Sequence, residues 1–294
     1  MAHLIRQMGH ILMATTQLQD SATDLSDIVG LRVTHRDADA IYLSSNERQY
    51  EVVYRRGDKP GVMAIGLEAM DAAAVDEAQR RVQAAGFRIL DDRSSLPGIA
   101  RAFRFVTPFG PVFEIHTPVP RNKAARYIGT ANRPRRLEHV NVRVADMPGF
   151  RDFLTEALGM KISDRTGNDE LIWFRAWDGF HHTIAAGRGG NLHHYAFDAH
   201  SLEDLSGIAD NLTVKGRTLL WGLGRHGAGD NIFSYYRDPN GCAVETSVGL
   251  ARIENDELYE PRVWDLQTSL VRNLWGVPSP AEFNAAGIPY LTDG

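Results

Sequence analysis

The chain has 294 residues and a single cysteine, Cys242. No disulfide can form within it, so no disulfide framework supports the fold, and a reducing, cytoplasmic setting fits. Long apolar runs are also missing. The first ten residues hold neither an apolar core nor a small-residue cleavage site. That predicts no secretory signal, and no stretch of the chain predicts a membrane span. The sequon at Asn211–Leu212–Thr213 then reads as a chance match. A cationic excess is absent too. The formal net charge is -5, which leaves no footprint for nucleic acid and favours a small-molecule partner. What remains is ordinary for a globular protein: 43% hydrophobic and 23% charged residues, enough for one large core or two modest ones.

Two halves of the sequence repeat one design. Residues 8–13 lead into a helical stretch at 17–29, then Gly30 and 31–33. Residues 137–142 lead into a helical stretch at 147–158, then Gly159 and 160–162. Both read as strand, helix, glycine cap, strand. A second helix is legible in each half, at 71–85 and 202–214. Each half also closes alike, with a turn and a strand that carry Glu114 and Glu245 at the same offset. A repeat of this length is a duplicated module, not a solenoid of many short units. The expected organisation is an N-terminal module at 1–120 and a basic, proline-containing linker at 121–136. A C-terminal module follows at 137–250. The tail at 251–294, with Trp264, Trp275, Pro278, Pro280 and Pro289, is expected to form an ordered strap or lid. The fold class is α+β.

Of the eleven histidines, six lie between His181 and His226. Strict alternation along 137–144 puts His139, Asn141 and Arg143 on one strand face and three valines on the other. His139 is thus either a cavity residue or a histidine on a solvated sheet face. His193 and His194 precede another strand and point to opposite faces, so at most one can be a ligand. Glu245 sits on a strand expected to be buried, where a carboxylate needs a cation or an arginine beside it. Two histidines and a carboxylate far apart in sequence suit a metal site with open positions, the pattern of non-haem Fe(II) oxygenases.

The segment 224–245 resembles the signature of extradiol ring-cleavage dioxygenases of the vicinal oxygen chelate superfamily. It runs from His226 to Tyr235, through Asp238–Pro239–Asn240–Gly241, to Glu245. Ser234 departs from it, standing where an aliphatic residue or phenylalanine is usual. Upstream, Asn141, Trp173, His181, the glycine-rich loop 187–191 and the stretch 192–197 are similar to the homoprotocatechuate 2,3-dioxygenase branch. The likeness covers most of 137–290, and the N-terminal half shares only its pattern.

This resemblance implies two tandem modules, each of paired βαβββ units forming an open barrel around a cavity. It implies an oxidoreductase that cleaves a catechol beside its diol with O2, giving a muconic-semialdehyde-type product in aromatic degradation. It further implies Fe(II), with Mn(II) also suited, and a homo-oligomer. His139, His194 and Glu245 match the metal ligands. His181 matches the distal acid–base histidine, with His182 as the competing register. His226 and Tyr235 match the pair that bonds a substrate oxygen, and Asn141 and Trp173 line the pocket. Trp221 stands where that branch has a carboxylate-gripping arginine, which points to a substrate without an acidic side chain. Arg225, Arg262 and Arg272 are other possible grips. In the N-terminal half His10 and Glu114 recur, but 62–64 holds no histidine, so a vestigial site is expected there. The competing functions are a glyoxalase-like metalloenzyme of the same superfamily and a non-catalytic binder of small aromatics.

Overall fold

The computed structural model describes residues 3–122 and 133–292. Most of the expected linker, 123–132, lies outside the described residues. Eight strands from Ile5–Thr15 to Val112–His116 form one mixed sheet, and ten strands from Arg136–Val144 to Ile288–Pro289 form a second.

Each sheet is built of two βαβββ units. In the first, the opening strands of the two units, Ile5–Thr15 and Gly61–Ala69, lie side by side and antiparallel at the centre. The remaining strands of each unit spread outward to edges that do not meet. The second sheet repeats this order, with Arg136–Val144 paired to Asn191–Asp198 at its centre. These are the two open modules that the resemblance implied.

The helices form where the sequence stops and starts them. Asp71 caps Ala72–Ala84 by accepting a hydrogen bond from the Ala74 amide, and Ser201 with Asp204 makes a capping box on Leu202–Val214. The first helix of each half ends in a widened π turn, Leu25–Val29 in one and Phe153–Ala157 in the other. Gly30 closes the first at φ 85°, a conformation that a Cβ would disfavour. No helix among the described residues is long and apolar enough to cross a membrane.

Along Arg136–Val144 the alternation holds from Val140 onward. Val140, Val142 and Val144 are fully buried in the main core, each contributing about 1.5–3 kcal/mol by leaving water. Asn141 and Arg143 turn to the other face, on the wall of a cavity of about 420 Å³. The tail completes that wall. Its strand Arg262–Trp264 extends the second sheet beside Lys161–Thr166, and Ile288–Pro289 pairs with Asn191 and Leu192. Between these anchors it supplies Leu266, Val271, Arg272, Phe283 and Asn284 to the cavity.

The modules meet through a buried polar network. The Tyr54 and Tyr195 hydroxyls lie 3.1 Å apart, and Tyr195 donates to Asp238 Oδ2 at 3.2 Å. Tyr236 donates to Asp24 Oδ2 at 3.0 Å, and Arg217 pairs with Asp24. Burial, reinforced by the Asp24 charge, pushes the Asp238 carboxyl up to about 7. An acid raised above its unfolded value favours folding while it is protonated. That contribution is complete below about pH 4 and is lost as pH rises through about 7. For Asp238→Asn, the melting temperature relative to wild type should therefore increase as pH rises from about 5 to about 8. Calorimetric scans across that range check it, and a constant difference would contradict it.

Candidate metal centre

Three neighbouring strands each bring one donor to the floor of the cavity. His139 lies on Arg136–Val144, His194 on Asn191–Asp198 and Glu245 on Ala243–Val248. The pairing register makes them converge. His139 stands opposite Ala196, and Ala196 stands opposite Glu245. The small Ala196 side chain leaves the gap between the two donors open. His194, two residues earlier on the middle strand, shares that face.

His139 Nε2 lies 3.1 Å from Glu245 Oε2, and His194 Nε2 lies 3.3 Å from the same oxygen. One donor atom from each residue lies within 4.8 Å of the others. Metal bonds of about 2.0–2.2 Å at right-angled to tetrahedral geometry need donor separations of about 3.0–3.6 Å. Both separations to Glu245 fall in that range, and the three donors stand close enough to share one divalent ion while leaving further positions open.

The electrostatics fit as well. Burial alone would lower the His139 pKa, but Glu245 and Glu138 outweigh it and raise it to about 9. Burial and the neighbouring histidines push His194 and His182 well down. Burial opposes ionisation of Glu245, yet His139 and His226 keep it below the usual carboxylate range. The two carboxylates thus favour positive charge at His139, while His194 is kept neutral, with a lone pair free for an ion.

Glu245 is itself held in place. Tyr235 donates to its Oε2 at 2.7 Å and Asn231 Nδ2 to its Oε1 at 3.1 Å. His226 Nδ1 donates to the Arg272 carbonyl at 2.5 Å, so in the neutral ring Nε2 is an acceptor, 3.0 Å from the Tyr235 hydroxyl. Tyr235 carries one proton between two acceptors. Trp221 stacks on Tyr235, with ring centroids 5.7 Å apart and planes 13° from parallel.

Of the other residues singled out in the sequence, Asn141, Trp173, Trp221, His226 and Tyr235 all line the cavity. His181 does not. It is His182 that lines the cavity, with its ring centroid 4.2 Å from that of His139. The His181 ring turns away, its Nε2 3.2 Å from Asp164 Oδ2, though poorly aligned for a hydrogen bond. Its amide donates to the Ala251 carbonyl in the tail. The bend at 181–183, before the strand Ile184–Arg188, thus gives the cavity side to His182, the competing register, and not to His181, the register preferred from sequence. Period-two alternation does not run through a bend.

Sequence reasoning did not single out Glu138 or Asn231, and it weighed His193 and Arg143 only by the strand face they share or oppose. His193 Nε2 donates to the Phe283 carbonyl at 2.8 Å, tying the tail to the strand that carries His194. Of the three arginines considered as grips, Arg225 is paired with Asp230 and Arg262 stacks on Trp264. Arg272 does line the cavity, together with Arg143 and Arg188.

The N-terminal module shows the same row without the same donors. His10 stands opposite Gly66, and Gly66 opposite Glu114. The position of His194 falls on Ala64, one residue past Met63. Glu114 accepts from Ser94 Oγ at 2.6 Å, Ser95 Oγ at 2.8 Å and the Ser95 amide at 3.0 Å. His10 Nε2 is 3.8 Å from Glu114 Oε1, too far for a hydrogen bond.

One ion per chain is therefore expected, in the C-terminal module. Metal analysis after anaerobic reconstitution should return about one equivalent, and alanine at His139, His194 or Glu245 should reduce it to near zero. Two tightly held ions per chain would contradict this placement.

The model of the Glyoxalase/Bleomycin resistance protein/Dioxygenase superfamily matches residues 7–115 and 136–246. The manganese-dependent 2,3-dihydroxybiphenyl 1,2-dioxygenase of Geobacillus genomosp. 3 is 27% identical over 294 aligned residues, spanning 91% of this chain and 93% of the relative. Among solved structures, the homoprotocatechuate 2,3-dioxygenase of Arthrobacter globiformis superposes with a TM-score of 0.91 at 25% identity, over 100% of this chain and 95% of the other. The Mn(II)-bound glyoxalase from Novosphingobium aromaticivorans superposes with a TM-score of 0.86 at 27% identity, over 96% and 94%. The chain belongs to the Glyoxalase/Bleomycin resistance protein/Dioxygenase superfamily and has the two-module vicinal oxygen chelate fold.

Proposed function

We propose that this protein is a metal-dependent extradiol dioxygenase that cleaves a catechol beside its diol with O2. The observation that carries the reading is one cavity floor. His139, His194 and Glu245 converge there, and His182, His226 and Tyr235 line the same space. An isomerase of the glyoxalase kind would use the three donors but has no need of that second set. A passive binder would need neither.

A divalent ion held by the three donors would supply Lewis acidity toward the diol and an open face for dioxygen. We propose Fe(II) as that ion, with Mn(II) as the alternative, since the donor set accepts both. The remaining work falls to the protein. His226 and Tyr235 hydrogen-bond one diol oxygen and take up its proton. His182, neutral and buried opposite His139, serves as the acid–base group on the far side. Asn141 and Trp173 shape the wall.

The wall also bears on the substrate. Trp221 removes an arginine from one side, but Arg143, Arg188 and Arg272 stand around the rest, with Glu170 the one acid beside Glu245. In a chain of net charge -5 that local surplus favours a catechol whose substituent ends in a carboxylate. The preference for a neutral substituent expected from Trp221 alone is therefore set aside.

The homo-oligomer and the cytoplasmic setting belong to the same proposal. Leu270, Leu274, Trp275 and Val277 in the tail stay 40–56% exposed, and light scattering would give the assembly state.

Fe(II)-loaded or Mn(II)-loaded protein mixed with catechols in air should form a yellow ring-fission product, read by its visible absorbance. His182→Phe should retain the ion yet turn over at least about tenfold more slowly, while His181→Phe stays near wild type. The reverse pattern would restore the original register. Arg143→Gln should lower kcat/KM for 3,4-dihydroxyphenylacetate about tenfold more than for 4-methylcatechol, a difference of about 1.4 kcal/mol. Equal losses on both substrates would show that the arginine does not read the substituent.

A further inference from the structure

Glu138 immediately precedes His139, and alternation would send its side chain to the apolar face, among Val140 and Val142. The strand bulges instead. His139 faces Ala196 and Leu137 faces Phe197, so Glu138 is the extra residue of the pair. A bulge of this kind puts two consecutive side chains on one side of a strand. The Glu138 carboxylate accordingly lies beside the imidazole of His139, with Oε2 3.1 Å from Nδ1. The same oxygen accepts from Ser247 Oγ at 2.7 Å. Its other oxygen is buried without a hydrogen-bond partner, and the side chain is 0% exposed. Among the described residues its one ion pair is with His139.

A carboxylate in such a place destabilises the fold unless a positive charge compensates it. The duplicated module shows what stands there when no triad is present. Its opening strand has the same bulge, between Met8 opposite Leu67 and His10 opposite Gly66, and the extra residue is Gly9. In the place of Ser247, two residues after the glutamate, is His116. A Cβ on Gly9 would lie 2.1 Å from His116 Nε2, so that ring fills the room where a side chain at position 9 would go. His10 is left with no hydrogen bond at either ring nitrogen. The module that lacks the third donor therefore lacks this carboxylate as well.

We propose that Glu138 is a positioning residue for the metal centre. It accepts the Nδ1–H of His139, holds the ring in the tautomer that turns the Nε2 lone pair toward the ion, and adds a second buried negative charge. Glu245 and Glu138 together then balance a dication without surplus charge. The proposal rests on the reading of His139, His194 and Glu245 as metal ligands, and not on which reaction follows.

The test is the rate at which Mn(II)-loaded protein loses its ion to excess EDTA. Glu138→Ala should lose it about 10–100-fold faster than wild type. Glu138→Gln keeps an acceptor for Nδ1–H but not the charge, and should fall between the two. Ser247→Ala, which leaves the Glu138–His139 contact in place, should stay within about threefold of wild type. Circular dichroism and melting temperature are recorded alongside. If Glu138→Ala does not fold, Glu138→Gln decides, and retention equal to wild type in that folded variant overturns the proposal. So does retention equal to wild type in a folded Glu138→Ala. A wild type that holds Mn(II) but cleaves no catechol would end the dioxygenase reading and leave Glu138 standing. Faithful retention by both variants with ring cleavage intact would do the opposite.

Discussion

The site depends on one pairing, that of the strand Arg136–Val144 with Asn191–Asp198. Its register sets His139 against Ala196, and the next pairing sets Ala196 against Glu245. A slip of one residue would turn every side chain of a strand to the opposite face. His139 would then enter the valine core and the three donors would separate. The core prevents this, because Val140, Val142 and Val144 are wholly buried on the other side. Apolar burial on one face of the strand therefore maintains the convergence of the three donors on the other.

The same row in the N-terminal module shows how little separates a site from its remnant. His10, Gly66 and Glu114 repeat the register of His139, Ala196 and Glu245. Alanine replaces the third donor, and two serines occupy the carboxylate. A buried carboxylate needs partners of some kind. Hydroxyls and an amide serve where there is no ion to hold. The sheet order is repeated in the two halves, while among the described residues three converging donors stand in one.

Around the donors, a chain of hydrogen bonds reaches from the metal centre to the tail. Glu245 accepts from Tyr235, Tyr235 meets His226, and His226 donates to the Arg272 carbonyl. His193, adjacent to His194, donates to the Phe283 carbonyl. The tail is thus tied to the ligand strands at two points and contributes the outer wall of the cavity. Low dielectric strengthens each of these bonds and makes an incomplete chain costly.

Much of this was legible in the residues themselves. Glycine caps and periodicity located the two helices of each half, because those signals are local. The duplication was legible for the same reason. His139, His194, Glu245, His226 and Tyr235 were found through spacing that resembles a known signature. The tertiary structure alone decided the rest. It put His182 and not His181 on the cavity wall, because which way a side chain points at a bend is set by the surrounding fold. It brought Arg188 and Arg272 to the same cavity wall as Arg143 and Trp221, because residues far apart in the chain share a wall only after the sheet curves. It turned Glu138 toward His139, because a bulge is a property of two paired strands and neither sequence encodes it alone.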